Sequence, residues 1–231
     1  MMGVVLDVTD RHAAFAAVTA SERRLRLLTN ELNHRVKNTL ATIQSIAAHT
    51  ARRAGSLPDF RRVFEDRLMA LSATHNILTQ SSWEAAAVGD LAAQELAPFP
   101  ESQVRLDGER LELAARQALA LGLVFHELAT NAAKYGALST PTGRVTISWR
   151  TSEQANGARL WTLEWREEGG PPVTAPKASG FGSQLIKVSV QQDLGGAVEI
   201  DYAPGGLVCR IQAMVLVAET VDPLNSWLEP H

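Results

Sequence analysis

The segment His126-Glu-Leu-Ala-Thr-Asn-Ala-Ala-Lys-Tyr-Gly-Ala-Leu138 determines how the C-terminal half of this chain is interpreted. Helical spacing places Glu127 and Asn131 on one side of a helix, and Lys134 follows almost one turn later. An amide oxygen can bind Mg²⁺, a carboxylate one turn earlier can orient a bound water or accept a proton, and a lysine can meet a phosphate. The segment therefore predicts a nucleotide and Mg²⁺ site. The alternative is ordinary polarity on a helix surface.

A second segment, Glu31-Leu-Asn-His-Arg-Val-Lys-Asn-Thr-Leu40, places a histidine among cationic neighbours. Arg35 and Lys37 bring positive charge beside His34, and Asn38 lies one turn further on the same face. A neutral imidazole nitrogen is a competent nucleophile near pH 7, and phosphoryl transfer mainly needs positioning and charge neutralisation. The pattern indicates a phosphate acceptor at His34, whereas a histidine taken alone would be a solvated surface residue.

Two glycine-containing segments follow the helix that bears Asn131. In Trp165-Arg-Glu-Glu-Gly-Gly170 a predicted strand ends at a carboxylate and a glycine pair, so Glu167 could accept a hydrogen bond from an exocyclic amine. Gly180-Phe-Gly182 directly precedes a predicted helix, whose N-terminal amides could face a phosphate. Taken alone, the first segment could be an ordinary strand end with its turn, and the second could be a chance Gly-x-Gly.

The N-terminal third predicts a pair of amphipathic helices. Residues 11–53 lack proline and glycine, which favours one long helix, and residues 55–58 end it. Ser56 or Asp59 could cap a second helix that runs to about Gln80. The first helix has an apolar stripe at three- and four-residue steps, formed by Leu25, Leu28, Leu32, Val36, Leu40, Ile43 and Ile46. An antiparallel hairpin of this kind needs a partner. A second copy would complete a four-helix bundle, and a monomer with a covered stripe is the alternative.

From about residue 100 the pattern changes to short strands and helices. Residues 104–113 predict a strand, a turn and a second strand, and residues 114–137 and 181–194 predict helices. Two strand hairpins are predicted at 144–166 and 197–215. The fold class is therefore α+β. A helical hairpin is followed by an α/β sandwich with a mixed sheet and helices on one face.

Composition and net charge argue against several classes of protein. The chain has 231 residues and a net charge of −3, so no strong basic field points to nucleic acid. The single cysteine, Cys209, excludes an intrachain disulfide and fits a reducing compartment, so we expect a cytoplasmic protein. It lies in an alternating strand pattern and is predicted to be a small core residue. No apolar run is long enough for a membrane segment, and the N-terminus has no basic region typical of a signal peptide.

The order of these segments resembles the histidine kinases of two-component signalling, which share an ATP-binding fold with gyrase, Hsp90 and MutL. Within that group the chain is similar to the HWE family. That family is named for a histidine in the Asn-bearing motif and a Trp-x-Glu motif, matched here by His126, Trp165 and Glu167. The acceptor segment at 33–38 also matches, and the resemblance covers roughly residues 22–216.

The resemblance implies ATP and Mg²⁺ as ligands, His34 as the phosphoacceptor, Asn131 as the Mg²⁺ ligand and Glu167 as the adenine contact. The predicted nucleotide-binding residues are Asn131, Lys134, His126, Trp165, Glu167, Gly169, Lys177, Gly180 and Gly182. Gly169, Gly180 and Gly182 flank the lid of such a site. The chain departs from the common Asp-x-Gly-x-Gly motif, and Arg35 replaces the carboxylate that often follows the acceptor. Glu127 and Glu31 are therefore both candidates for the catalytic base.

By resemblance, the chain is a sensor histidine kinase core that autophosphorylates His34 from Mg-ATP. It would pass the phosphate to an aspartate of a response regulator receiver domain, and the reverse, phosphatase direction stays open. The hairpin would form a homodimer, and residues 6–11 resemble the exit of a PAS-type sensor, so we expect a missing N-terminal sensor domain. The predicted divisions are a sensor tail and linker at 1–21, a dimerisation and histidine phosphotransfer hairpin at 22–82, a linker at 83–99, an ATP-binding domain at 100–217 and a tail at 218–231.

Two alternatives belong to other classes. The chain could be a nucleotide-binding scaffold for dimerisation and docking that has no autokinase activity. It could also resemble the serine-phosphorylating anti-sigma kinases, which share the ATP fold, but those proteins lack a histidine hairpin such as residues 22–80.

Overall fold

The structure of the protein is a computed structural model that describes residues 9–52, 54–80, 85–155, 157–173 and 181–215. It divides into two compact units, residues 1–52 and 53–231. The helices are α1 (Thr9–Ala51), α2 (Leu57–Gln80), α3 (Val88–Leu96), α4 (Ala115–Tyr135) and α5 (Phe181–Val188). The strands are β1 (Ala85–Ala87), β2 (Val104–Gly108), β3 (Glu112–Ala114), β4 (Arg144–Glu153), β5 (Arg159–Glu168), β6 (Ala197–Ala203) and β7 (Gly206–Met214).

In its described residues the first unit is the single helix α1, which confirms the predicted long helix. Several members of the predicted apolar stripe are exposed on it: Leu25, Leu28, Leu32, Val36 and Leu40. Of residues 6–11, which resemble the exit of a PAS-type sensor, 6–8 lie outside the described residues and 9–11 belong to α1. The antiparallel pairing of α1 with α2 stays a prediction, because the two helices belong to different units.

The second unit begins with α2, whose start is set by Ser56. The Asp59 amide donates to the Ser56 hydroxyl oxygen at 3.3 Å, which is the hydrogen bond of an N-cap residue to the third helical position. The sequence offered Ser56 and Asp59 as caps, and the structure selects Ser56. Phe60 and Phe64 stack one turn apart, with ring centroids 5.5 Å apart.

A five-stranded mixed sheet, in the order β2-β4-β5-β7-β6, forms the centre of this unit. The β2–β4 pair is parallel and the other pairs are antiparallel, which confirms the predicted mixed sheet. Gly157, at φ +79°, lies in the connection from β4 to β5, a conformation that glycine adopts without steric cost. Residues of α4 and one sheet face share a single buried cluster that includes Phe125, Leu128, Ile147, Trp161 and Trp165. Cys209 belongs to it, and burial raises the pKa of its thiol to about 12.

The strand, turn and strand predicted at 104–113 are present as β2 and β3, but the two strands do not pair with each other. Strand β2 pairs in parallel with β4, from Val104 opposite Val145, and β3 instead pairs with β1, with Leu113 opposite Ala86. Alternation along a strand identifies its buried face but not its neighbour. The sequence pattern therefore predicted the two strands, and tertiary packing selected the partner of each.

The segment predicted as a linker, residues 83–99, contains two short elements. Within it, residues 85–96 form β1 and α3, and the buried α3 residues Val88, Leu91, Ala92 and Leu96 belong to the core cluster. The short alanine run and the single two-turn helix give little periodic signal, which explains why the sequence suggested a connection. The other divisions of the chain stay predictions.

Helices α2 and α4 approach closely at one glycine. A Cβ atom on Gly122 would collide with the hydroxyl oxygen of Thr74 on α2. The absent side chain lets the two helices pack at short range, so that earlier residues of α2 lie beside later residues of α4. Among the described helices, none combines the length and apolar character that a membrane crossing requires.

Candidate nucleotide site

Glu127 lies on the inner side of α4 and is 7% exposed. Its Oε1 accepts a hydrogen bond from Arg67 Nε of α2 at 2.7 Å, and Arg67 is itself 3% exposed. Desolvating two charges is costly, and only close geometry with good hydrogen bonding compensates for it. The pair therefore joins α2 to the segment that the sequence identified as the nucleotide site.

Asn131 follows one turn later on α4 and is half-buried. Gly182, at the start of α5, faces both side chains. A Cβ atom on it would lie 2.8 Å from Glu127 Oε2 and 3.1 Å from Asn131 Nδ2. The backbone at the start of α5 thus lies against a carboxylate and a carboxamide, at a point where a side chain would not fit. The structure brings Glu127 and Asn131 together with Gly182, which belongs to a separate segment of the sequence.

The flanking members of the α4 motif lie in different surroundings. Lys134 is exposed in the last turn of α4, where a cation also complements the helix dipole. His126 Nδ1 lies 3.0 Å from Glu95 Oε2 of α3, so this ring is held towards α3. The sequence placed His126 among the nucleotide-binding residues, a role that stays a prediction, and its contact in this structure is with Glu95 of α3.

Glu167, the second predicted ligand-binding carboxylate, ends strand β5 and is 3% exposed. Its Oε2 accepts a hydrogen bond from the Ala137 amide at 2.9 Å, and its Oε1 accepts one from the Trp165 indole at 3.1 Å. Burial raises the pKa of Glu167, and the two hydrogen bonds oppose that rise. Gly136 makes room for the carboxylate, because a Cβ atom there would collide with Oε2.

The glycine pair after β5 packs against the end of α4. Gly169 has φ +71°, and a Cβ atom on Gly170 would lie 2.7 Å from the Cα atom of Ala137. This close approach holds the loop that follows β5 beside the Glu167 carboxylate and its hydrogen-bond donors. Lys177 and Gly180, predicted for the lid and the phosphate contacts, lie outside the described residues. His34 and Glu31 lie on α1, and the described part of the structure does not include their side chains.

Sequence reasoning missed Arg67, Glu95 and the backbone amide of Ala137. A signal for Arg67 was present, because it stands one turn before Leu71 and one turn after Phe64 on the apolar side of α2. A charge at a buried helical position calls for a partner. Glu95 and the Ala137 amide have no comparable signal, since their roles depend on elements brought together by folding.

The geometry fits a nucleotide with Mg²⁺. Among the described residues there is no group of three or more His, Cys, Asp or Glu side chains that could hold a metal. Mg²⁺ does not need one, because it commonly uses one or two protein oxygens together with waters and substrate phosphates. The amide oxygen of Asn131 would be its protein ligand, and the start of α5 has the open backbone that a phosphate needs.

A concavity lies on the outer face of the sheet, with a volume of about 580 Å³. Its lining includes Glu164 and Arg210, which are joined at 2.8 Å, and Arg166 lies 2.7 Å from the same carboxyl group. Partial burial acts to raise the pKa of Glu164, but the two arginines outweigh it and hold the pKa below its usual value. Both arginines are already paired with Glu164, so the junction of α4 and α5 is the stronger candidate.

Comparisons with known proteins agree with this geometry. Residues 31–110 match the family model of the HWE histidine kinase. The chain is 37% identical over 229 residues to a blue-light-activated histidine kinase of Brucella anthropi, covering 98% of this chain and 45% of the relative. A blue-light-activated histidine kinase of Brucella ovis is 35% identical over 218 residues, covering 93% of this chain and 43% of the relative. The chain therefore spans less than half the length of these curated relatives.

A solved structure shares the fold. A blue-light activated histidine kinase of Erythrobacter litoralis superposes with a TM-score of 0.54 at 16% identity, covering 77% of this chain and 59% of that chain. This likeness supports the arrangement of the helices and the mixed sheet, as expected from the sequence. The chain carries a domain of the HWE histidine kinase family.

Proposed function

We propose that this chain is the core of an ATP-dependent protein-histidine kinase that phosphorylates its own His34. The observation that carries the proposal is the junction of Glu127, Asn131 and Gly182, in a chain whose residues 31–110 match a histidine kinase family. That junction has the oxygen ligand, the carboxylate and the open backbone that binding of a Mg-nucleotide requires. Glu167 binds the amide of Ala137, at the other end of the segment 126–138 that contains Glu127 and Asn131.

The roles of the residues follow from their positions. Asn131 would hold Mg²⁺, which neutralises phosphate charge when bound. Glu167 would accept a hydrogen bond from the exocyclic amine of adenine, and Trp165 and the Ala137 amide fix its orientation. Lys134 is exposed near Asn131 and is suited to meet a phosphate. We assign Gly169, Lys177 and Gly180 to the lid from their sequence positions.

The reaction joins an imidazole nitrogen of His34 to the γ-phosphorus of ATP. The bond from that phosphorus to the bridging oxygen breaks, and ADP carries away the electron pair. The imidazole loses its proton, for which Glu31 and Glu127 are the two candidate acceptors. An aspartate of a receiver domain then takes the phosphoryl group from the phosphohistidine.

We further propose that the working protein is a cytoplasmic homodimer controlled by a sensor domain that acts through α1. The exposed leucines of α1 support dimerisation, because an apolar stripe on a single helix is stable only when another helix covers it. Light scattering should give the mass of a dimer. A monomeric mass at the concentrations used for assay would contradict this part of the proposal.

Labelled ATP provides the test of the kinase proposal. Wild-type protein should incorporate the γ-phosphate in an acid-labile, base-stable form, and His34→Ala should incorporate none while its ATP affinity stays within a few-fold of wild type. His12→Ala is the matched control, because it removes another histidine of α1 and should leave labelling unchanged. Acid-labile labelling of His34→Ala would contradict the acceptor assignment. ATP binding without any labelling of wild type would favour the nucleotide-binding scaffold.

A further inference from the structure

The buried side of α2 contains one charged residue among apolar and small side chains. Leu71, Thr74 and Leu78 are all buried on this side, and Arg67 precedes them at helical spacing. Arginine keeps its charge at every accessible pH, so its burial needs an anionic or strongly polar partner. A leucine would fill this position of α2 without a desolvation cost, which suggests that the guanidinium serves a purpose beyond packing.

The partner of Arg67 is the carboxylate that faces the nucleotide site. Arg67 Nε donates to Glu127 Oε1 at 2.7 Å, and the other oxygen of Glu127 is the atom nearest to the missing Cβ of Gly182. Asn131 Nδ2 is the next nearest atom to that point. A single carboxylate therefore contacts α2 through one oxygen and faces the start of α5 through the other.

We propose that Arg67 is a positioning residue of the Mg-nucleotide site. It holds the Glu127 side chain in the orientation that presents Oε2 to the start of α5, beside Asn131. Glu127 is then set to accept a hydrogen bond from a water that hydrates the Mg²⁺ of a bound nucleotide. This inference rests on the proposed function, and it makes α2 a structural part of the nucleotide site.

The choice of arginine matters for this role. The guanidinium is planar and fixes the direction of its Nε–H bond, whereas the ammonium of lysine is a mobile point charge. Groups that orient metal ligands through a second residue commonly change metal affinity about 10–100-fold when they are removed. We therefore expect an effect on Mg²⁺-dependent binding that a simple packing residue would not have.

A double-mutant cycle tests this inference through binding instead of turnover. Calorimetry would measure the Mg-ATP affinity of Arg67→Met, Glu127→Gln and the double variant, all in a His34→Ala background that cannot be phosphorylated. Each single variant should lose about 10–100-fold in affinity. The double variant should be no weaker than the weaker single variant, because Arg67 acts only through Glu127. Arg67→Lys should retain part of the affinity.

Two further measurements separate positioning from packing. Thermal unfolding without nucleotide should show that the double variant, which has no unpaired buried charge, regains stability lost in Arg67→Met. If the double variant also regained wild-type affinity, the pair would be a packing element and the inference would be overturned. Arg62→Met is the matched control, because its ion pairs on the same helix are exposed, and it should leave affinity unchanged.

The remaining outcomes are equally decisive. Losses that multiply in the double variant would show that Arg67 acts independently of Glu127, which overturns the inference while the proposed function stands. Unchanged affinity in a folded Arg67→Met protein would overturn it as well. Absence of Mg²⁺-dependent ATP binding in the parent protein would overturn both the inference and the proposed function.

Discussion

Glu127 and Glu167 are both buried, but different kinds of donor hold their carboxylates. Glu127 bonds to the charged guanidinium of Arg67, whereas Glu167 bonds to two neutral donors, the Ala137 amide and the Trp165 indole. A charged donor forms a hydrogen bond with a buried carboxylate and also balances its charge, whereas a neutral donor forms only the hydrogen bond. The raised pKa of Glu167 shows the consequence, since burial outweighs its two hydrogen bonds.

The two ends of the candidate site therefore differ in how the charge of the buried carboxylate is balanced. The end at Glu127 lies where phosphates and Mg²⁺ would be, and its charge is held by a second charge. The end at Glu167 would meet a neutral base, and a carboxylate with neutral donors keeps its acceptor strength for an amine.

The largest expected effect is on stability when Arg67 is removed. Arg67→Met leaves the Glu127 carboxylate buried without a counter-charge and should lower the free energy of unfolding by about 3–5 kcal/mol. Denaturant titration is the measurement. The control Arg62→Met removes an arginine from exposed ion pairs and should cost about 0–1 kcal/mol. Equal losses in the two variants would show that burial does not distinguish these pairs.

A smaller effect is expected when Glu167 loses its indole donor. Trp165→Phe keeps a buried ring but removes the N–H that donates to Glu167 Oε1, which should cost about 1.5–3 kcal/mol beyond the loss of ring volume. Trp161→Phe is a matched control on the same strand. Both side chains are fully buried, and Trp161 Nε1 has no hydrogen-bond partner in the described structure.

The comparison of the two tryptophan variants isolates the hydrogen bond. Since both substitutions remove the same atoms from the same buried strand, the difference between their unfolding free energies by denaturant titration reports the contact with Glu167. A larger loss for Trp161→Phe than for Trp165→Phe would contradict this role of the Trp165 indole.

The smallest effect is a pH dependence that comes from Glu167. Because its native pKa is raised above the ordinary 4.5, the folded state holds this proton more tightly than the unfolded state. The stabilisation that it contributes is therefore fully present below pH 4.5 and is lost as pH rises through the native pKa. Unfolding free energies of wild type minus Glu167→Gln should fall across that window and then level off.

Glu168→Gln is the control for this measurement, because it alters the neighbouring exposed carboxyl group and keeps the buried one. Its difference curve should lack the fall seen for Glu167→Gln. A difference for Glu167 that increases with pH would mean that the hydrogen bonds from Ala137 and Trp165 outweigh burial.

Much of the fold could be predicted where local periodicity was strong. The long helix α1, the end of α2 near Gln80, and the β4–β5 and β6–β7 hairpins were all expected from spacing and turn residues. Alternation marked Trp161 and Trp165 on one side of β5, and both are buried. The short elements β1 and α3 were missed, since three residues of strand and two turns of helix leave little periodic signal.

The features of the candidate site also divide into those that the sequence could predict and those that it could not. The four-residue step from Glu127 to Asn131 is a property of one helix, so the sequence alone placed both on one face. The contact of Arg67 with Glu127 joins residues 60 positions apart, and the Ala137 amide meets Glu167 across 30. The spacing of residues within one element shows which of them share a face. It does not show which other element packs against that face.

The sequence by itself determined the helices other than α3, most of the strands and the chemical types of the site residues, because these depend on neighbours within a few positions. Only the tertiary structure decided that β2 pairs with β4, that His126 faces Glu95, and that one buried carboxylate is held by a guanidinium while the other is held by neutral donors. The physical reason is that desolvation and charge pairing depend on which surfaces meet, and long-range packing alone brings those surfaces together.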